Sequence, residues 1–183
     1  MASKYHRDIV KIIKKFGKQH EDIKQIRTVS TGKIVIAHLD NPFVKDLTYI
    51  PDVRFLRDKD LRNITFQVLD SQATSNKKIL GDILNAILTG YVEIAYFIVP
   101  DEATFKKVTS MMRLVENIFE KIIKAPKKNL PRLKVKLIPK DLRGVTIRDK
   151  EYDYNKSEKL QLFLEESVNA NLEVMLKGDK WFN

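Results

Sequence analysis

Thr48-Tyr49-Ile50-Pro51-Asp52-Val53-Arg54-Phe55-Leu56, then Arg57-Asp58-Lys59-Asp60, then Asn63-Ile64-Thr65-Phe66-Gln67-Val68-Leu69-Asp70: the fold turns on these residues. The first nine read as a strand and the charged run as a hairpin-like connection. The last eight are almost wholly apolar before Asp70, the pattern of a strand covered on both faces. Such a strand needs helices above and below its sheet, so the flanking sequence is read for helices.

Toward the N-terminus, residues 33–39 form another strand, closed by Asp40-Asn41-Pro42 and preceded by a turn at Ser30-Thr31-Gly32. Ser3 caps a first helix that carries Ile9, Val10, Ile12, Ile13 and Phe16 on one side and runs to about Gln25, with Gly17 as a break or kink. Toward the C-terminus, Ser75 or Asn76 caps a helix over 77–89, with Ile79, Leu80, Ile83, Leu84, Ile87 and Leu88 as its buried stripe and Gly90 as its end. Residues 91–99 are a buried strand stopped by Pro100. Asp101 then caps a long helix through Lys124, with Phe105, Val108, Met112, Val115, Ile118, Phe119 and Ile122 turned inward. Residues 133–138 alternate as a half-exposed strand does. Beyond Pro139 the pattern predicts a short strand at 145–147, a helix over 157–168 and a last strand at 172–176. The order α-β-β-β-α-β-α-β defines a mixed α/β fold with helices on both faces of one sheet. One domain spans 1–183, with a core over 1–139 and a C-terminal αβ elaboration or dimerisation arm over 140–183.

Composition narrows the function. The chain has 183 residues, 34 of them Lys or Arg and 24 Asp or Glu, a formal net charge of +10. Its isoelectric point is near 9.6. Cysteine is absent, which excludes disulfide scaffolds, Cys-ligated zinc, iron–sulfur clusters and thiol nucleophiles. His6, His20 and His38 share no ligand spacing. The most apolar stretch contains Asp82, Asn85 and Glu93, so no membrane span is expected, and the N-terminus lacks the apolar core of a signal peptide. A cytoplasmic protein without a small-molecule cofactor is the expectation. A heat-adapted, thermophile-like surface accounts for charged residues at 32% of the chain but not for the excess of one sign. That excess favours a polyanionic partner, and DNA above all, because each neutralised phosphate releases counterions.

No glycine-rich phosphate loop, dinucleotide fingerprint, nucleophile elbow or H-E-x-x-H occurs. What remains is Pro51-Asp52 inside a strand, followed by an apolar strand with polar groups at Gln67, Asp70 and Gln72. A carboxylate in mid-strand is poorly placed for packing, and oxygens presented from adjacent strands suit Mg²⁺. In this arrangement the chain resembles the PD-(D/E)XK nuclease superfamily, the fold of many restriction enzymes and archaeal Holliday-junction resolvases. The resemblance covers the α-β-β-β-α-β order from about residue 5 to 100, with Pro51-Asp52 at the family's Pro-Asp. It implies a restriction-endonuclease-like core, DNA as substrate, Mg or Mn as cofactor and a homodimer. A nuclease of this kind is a hydrolase that cuts phosphodiesters.

The family's acid-x-lysine motif falls in one of two registers. Aligning the strand cores puts Gln67 at the acid and Leu69 at the lysine, which leaves Asp52 without a second carboxylate. Sliding by three residues gives Asp70-Ser71-Gln72, where Asp70 supplies a second charge on the face that Gln72 shares. Asp70-Ser71 equally reads as a strand-end turn. In the second register Asp52 and Asp70 bind metal, Gln72 orients water or phosphate, and Lys77 is the candidate electrostatic stabiliser. Asp8 is the candidate additional acid that resolvase-like members carry in their first helix, although a solvated helix-start acid favoured by the macrodipole is the better reading of it. For nucleic acid, Lys11, Lys14 and Lys15 lie on the polar face of the first helix, and Lys134 and Lys136 form an exposed ridge on one strand. Two other readings stand beside the nuclease: a nuclease-fold protein without chemistry that binds DNA or serves in an assembly, and a protein-interaction module with no nucleic-acid role.

Overall fold

The structure is a computed structural model. It describes residues 3–21, 23, 25–28, 34–37, 47–56, 63–69, 75–89, 92–124, 130–138, 146–147, 150–151 and 157–178. Along the chain come α1 (Lys4–Gln19), β1 (Gln25–Thr28), β2 (Ile34–Ala37), β3 (Leu47–Tyr49), β4 (Val53–Leu56), β5 (Asn63–Val68), α2 (Asn76–Leu88), β6 (Val92–Val99), α3 (Glu102–Lys121), β7 (Arg132–Leu137), β8 (Thr146–Ile147), β9 (Lys150–Glu151) and α4 (Ser157–Gly178). A five-stranded mixed sheet has the order β1-β4-β5-β6-β7. It is antiparallel from β1 to β5 and parallel from β5 to β7. β2 and β3 form a separate antiparallel pair, as do β8 and β9.

Helices cover both faces of the large sheet. Alternation along the strands sends Val53 and Phe55 of β4, Ile64, Phe66 and Val68 of β5, and Ile94, Tyr96 and Ile98 of β6 to one side. There they meet Ile9, Ile13 and Phe16 of α1 and Val168, Leu172 and Leu176 of α4. Ala95, Phe97 and Val99 go to the other side, against Ile79, Ile83 and Ile87 of α2 and Val108, Met112 and Val115 of α3. β5 is buried along its whole length. Its face toward α2, however, carries Asn63, Thr65 and Gln67, which are polar and buried.

Several sequence expectations need correction. The first helix stops at Gln19 rather than near Gln25, and Gln25–Thr28 is an edge strand. Ile26, the one apolar residue in the sequence of that strand, packs on the core, a signal too thin to separate from a helix end. The strand expected over 48–56 is two strands in different sheets, β3 and β4. Pro51, which has no N–H to give, lies in the break, so Pro51-Asp52 precedes β4 instead of sitting within it. Leu172 and Leu176, expected on a strand, belong to α4, where Val168, Leu172 and Leu176 recur every fourth residue and pack on the α1 side. Leu80, Leu88, Ile118 and Ile122 are exposed, lying beside the buried stripes of α2 and α3. The long helix ends at Lys121 and not at Lys124.

Gly17 is no break; it lets α1 lie close on the sheet. A Cβ there would stand 2.7 Å from Phe55 Cε1 and 2.9 Å from Ile26 Cδ1. The Phe55 ring is fully buried and has nowhere to go. Gly17→Ala gains about 1 kcal/mol of helix propensity and loses about 1–3 kcal/mol to overpacking. The expected net result is a lower urea midpoint with an unchanged m value, and a larger loss for Gly17→Val.

Candidate functional site

β5, β6 and β7 run parallel, so their carboxyl ends open on one edge of the sheet, the edge where such sheets commonly hold ligands. The first turn of α1 reaches the same edge. The Tyr5 hydroxyl donates to the Ile138 carbonyl at 2.8 Å, just past the end of β7. One residue on, His6 Nε2 stands 3.1 Å from Asp52 Oδ1.

Asp52 is the only charged residue buried among the described residues. Because Val53 pairs with Phe66, Asp52 lies one step beyond the ladder, opposite Gln67. Its Oδ2 accepts the Val68 N–H at 2.7 Å, so the carboxylate replaces the backbone acceptor that a longer β4 would supply. Each carboxylate oxygen thus has one partner, which is how a buried charge is kept.

Beside Asp52, between β5 and α2, lies a layer of oxygens without partners. Gln67 Oε1, Thr65 Oγ1, the Tyr49 hydroxyl and Asp82 Oδ2 are buried and make no hydrogen bond. Burial pushes the Tyr49 phenol well up, and the nearby Asp82 and Asp52 charges add to this, against a lowering by the Thr65 hydroxyl. That hydroxyl is close enough to favour the ionised phenol, yet it does not reach hydrogen-bonding geometry. The Asp82 carboxyl is pushed up to about 6, by desolvation first, with the Lys78 ammonium opposing and the Asp52 charge adding. Farther along the same face, Arg27 and Arg54 are paired across β1 and β4. Arg54 Nε donates to Asn63 Oδ1 at 3.0 Å. Burial, and then the like charge of Arg27, lowers the Arg54 guanidinium from its ordinary value.

The predicted residues fall out unevenly. Asp52 and Gln67 come together. Leu69 is fully buried in the α2–α3 core and its N–H bonds the Ile98 carbonyl at 2.9 Å, so the register that places it at the lysine position finds a packing residue. Asp70 and Gln72 lie outside the described residues. Lys77 is exposed in the first turn of α2, and Asp8 is half-buried on α1. Lys11 is exposed, Lys14 is half-buried, and Lys15 is bonded to Glu165 of α4. Lys134 and Lys136 are half-buried rather than an exposed ridge. The intervening Leu133, Val135 and Leu137 seat β7 on the α2–α3 core, which turns the two lysines toward the opposite face of the sheet.

Sequence reading missed His6, Tyr49, Thr65, Asp82 and the Arg27–Arg54 pair. Two signals were available: polar residues at alternate positions 63, 65 and 67 of an apolar run, and Asp82 three residues after Ile79 in the buried stripe of α2. Among the described residues no group of three His, Asp or Glu could hold a metal. The donors beside Asp52 nonetheless suit a hard cation, being oxygens, with Gln67 Oε1 orphaned and buried on the residue opposite it.

These features define a three-layer α/β protein with a polar site at the carboxyl edge of its mixed sheet. No family model, no curated protein and no solved structure matches the chain. Among the described residues, no helix is long and apolar enough to cross a membrane.

The half-buried Asp82 carboxyl has a consequence for stability. Its pKa is higher in the folded chain than in the unfolded one, so the folded state holds the extra proton between pH 4 and 6. Stability in chelator is therefore expected to fall as pH rises through this window and to level off above it. The loss is about 1–2 kcal/mol, less than the shift alone implies because the side chain is half-exposed to screening. Asp82→Asn should flatten the dependence, as read from urea midpoints at pH 4.0, 5.0, 6.0 and 7.5.

Proposed function

We propose that this chain is a DNA-binding protein with a PD-(D/E)XK nuclease-like core, and that Asp52 is the centre of a Mg²⁺- or Mn²⁺-dependent endonuclease site. The observation that carries this reading is the position of Asp52. A buried carboxylate stands at the start of the second strand of the β1-β4-β5 meander, opposite Gln67 and at the edge where the parallel strands end. The strand order β1-β4-β5-β6 after a first helix is also the order that resemblance implies, with the β2–β3 pair as an insertion.

In this role Asp52 and the Gln67 carbonyl oxygen would hold the ion, with Asp70 as the second carboxylate and Gln72 and Lys77 toward the phosphate. The bound ion would supply neutralisation of the scissile phosphate and an acidified water. The chain's own part is placement. The Val68 N–H fixes one Asp52 oxygen, and His6 orients the other from α1. Lys11 and Lys14 on α1 give the backbone-tracking charge that a basic chain brings to DNA. Homodimerisation belongs to the same reading.

A second reading has its own support. Both Asp52 oxygens are already engaged, and Leu69 fills the core where a lysine would be needed. On that reading the chain keeps the fold and binds DNA without cutting it. Labelled linear and four-way-junction DNA incubated with Mg²⁺, with Mn²⁺ and with EDTA separates the two. Metal-dependent cutting is the expected outcome. Binding that weakens steeply with salt but never leads to cleavage would establish the second reading. Neither binding nor cutting would move the chain to a protein-interaction role.

A further inference from the structure

We infer that the space between β5 and α2 is a binding site for a hard divalent cation, formed by the Asp82 carboxylate, the Gln67 carbonyl oxygen and the Thr65 and Tyr49 hydroxyls. Buried polar atoms are rarely left without a partner, because each costs about 1–3 kcal/mol when it is. Here four such oxygens come from β3, β5 and α2, where Tyr49 packs with Ile79 and Ile83 of α2 and its phenol senses the Thr65 hydroxyl and the Asp82 charge. Tyr49 is 2% exposed, Thr65 0% and Gln67 7%, so bulk water does not satisfy them. Thr65 and Gln67 share a face of β5 by alternation, the stripe of α2 with Ile79 and Ile83 belongs to the core on that face, and Asp82 stands half-buried beside that stripe.

The donor chemistry decides the ligand class. A carboxylate, an amide carbonyl and two hydroxyls form an all-oxygen set, the choice of Mg²⁺ and Ca²⁺, with no soft or imidazole donor to favour a transition metal. Asp82 supplies one negative charge directly. The neighbouring Asp52 adds a second through space, since its own oxygens are held by the Val68 N–H and His6. Lys78, one turn before Asp82, sets the charge balance from outside; it is exposed. The site shares the Gln67 oxygen with the ion read at Asp52 but takes its carboxylate from Asp82, and it stands without the nuclease reading, because its test contains no nucleic acid.

Terbium, a luminescent hard cation excited through an adjacent tyrosine, is the probe. The chain should give saturable, tyrosine-sensitised Tb³⁺ emission that Mg²⁺ or Ca²⁺ competes away, and the same ions should raise its Tm relative to EDTA. Asp82→Asn should weaken binding by more than the roughly 10–100-fold that loss of an outer-shell partner costs. It should fold at least as well as the parent in EDTA at pH 7.5, because a partly desolvated charge is gone. Tyr49→Phe should lose most of the sensitised emission, and Thr65→Val, which fills the same space, should weaken binding about 10-fold. Emission and Tm shifts that survive Asp82→Asn would overturn the site. So would the absence of any cation effect on the parent chain, which would assign the space to ordered water. If these measurements succeed while DNA is not cut, the nuclease reading alone fails.

Discussion

Asp52→Asn is expected to abolish metal-dependent DNA cleavage while leaving the chain folded and bound to DNA. The asparagine keeps an oxygen to accept the Val68 N–H and places an NH₂ toward His6, whose ring can present an unprotonated nitrogen. The loss of negative charge falls on the ion, so the rate should drop by at least the order of 10²–10³-fold that removal of one transition-state-stabilising group costs. Asp52→Ala should do the same to cleavage and also destabilise the fold, because the Val68 N–H is left buried without an acceptor, at about 1–3 kcal/mol. The pair of variants separates chemistry from architecture. If Asp52→Asn cuts as fast as the parent, Asp52 is a structural residue that closes the β4–β5 ladder, and the non-cutting reading gains. Salt-dependent DNA binding should be the same for the parent and both folded variants, since the charge that tracks the backbone lies on α1 and not at Asp52.

How much of this was legible in the sequence depends on the range of the interactions involved. The helix starts at Ser3, Ser75 and Asp101 are local: each side chain accepts from the N–H three residues on, and the sequence named Ser3 and Asp101 as caps and Ser75 as one of two candidates. The apolar run of β5 and the stripes of α2 and α3 likewise gave a sheet covered on both faces. Failures came where a four-residue element carries one inward apolar residue, as in β1, or where a break is made by one proline, as between β3 and β4. The helical reach of α4 past Val168 was missed because its apolar positions from Leu172 to Leu176 also suit a short strand. For the site, Pro51-Asp52 was legible as a motif, but its setting was not. His6 is 46 residues away from Asp52 in sequence and reads alone as a surface histidine. Asp82 reads as an ordinary helix acid until Tyr49, Thr65 and Gln67 are known to face it. A buried cluster drawn from three elements has no local spacing to betray it.

The largest stability loss is expected at the ring that holds this edge of the sheet in place. Phe66→Ala should destabilise the chain by about 3–5 kcal/mol, a large share of the 5–15 kcal/mol that keeps a domain folded. The Phe66 ring meets Phe55 edge-on at 4.8 Å and 62°, and stacks on Tyr96 at 5.3 Å and 16°. It therefore ties β4, β5 and β6 together beneath α1. All three rings are fully buried, so neither neighbour can swing to close the space that alanine leaves. Phe66 also pairs with Val53 in the register that sets Asp52 opposite Gln67. Local loosening at this point should reach the site before the chain unfolds globally. Urea titration should show the lowered midpoint, and amide exchange in the folded variant should show faster exchange at Val68, whose N–H is the bond to Asp52. Phe66→Leu, which keeps most of the volume but loses the ring contacts, should fall between the parent and the alanine variant. A leucine as costly as the alanine would mean that ring geometry, more than cavity volume, holds the three strands in register.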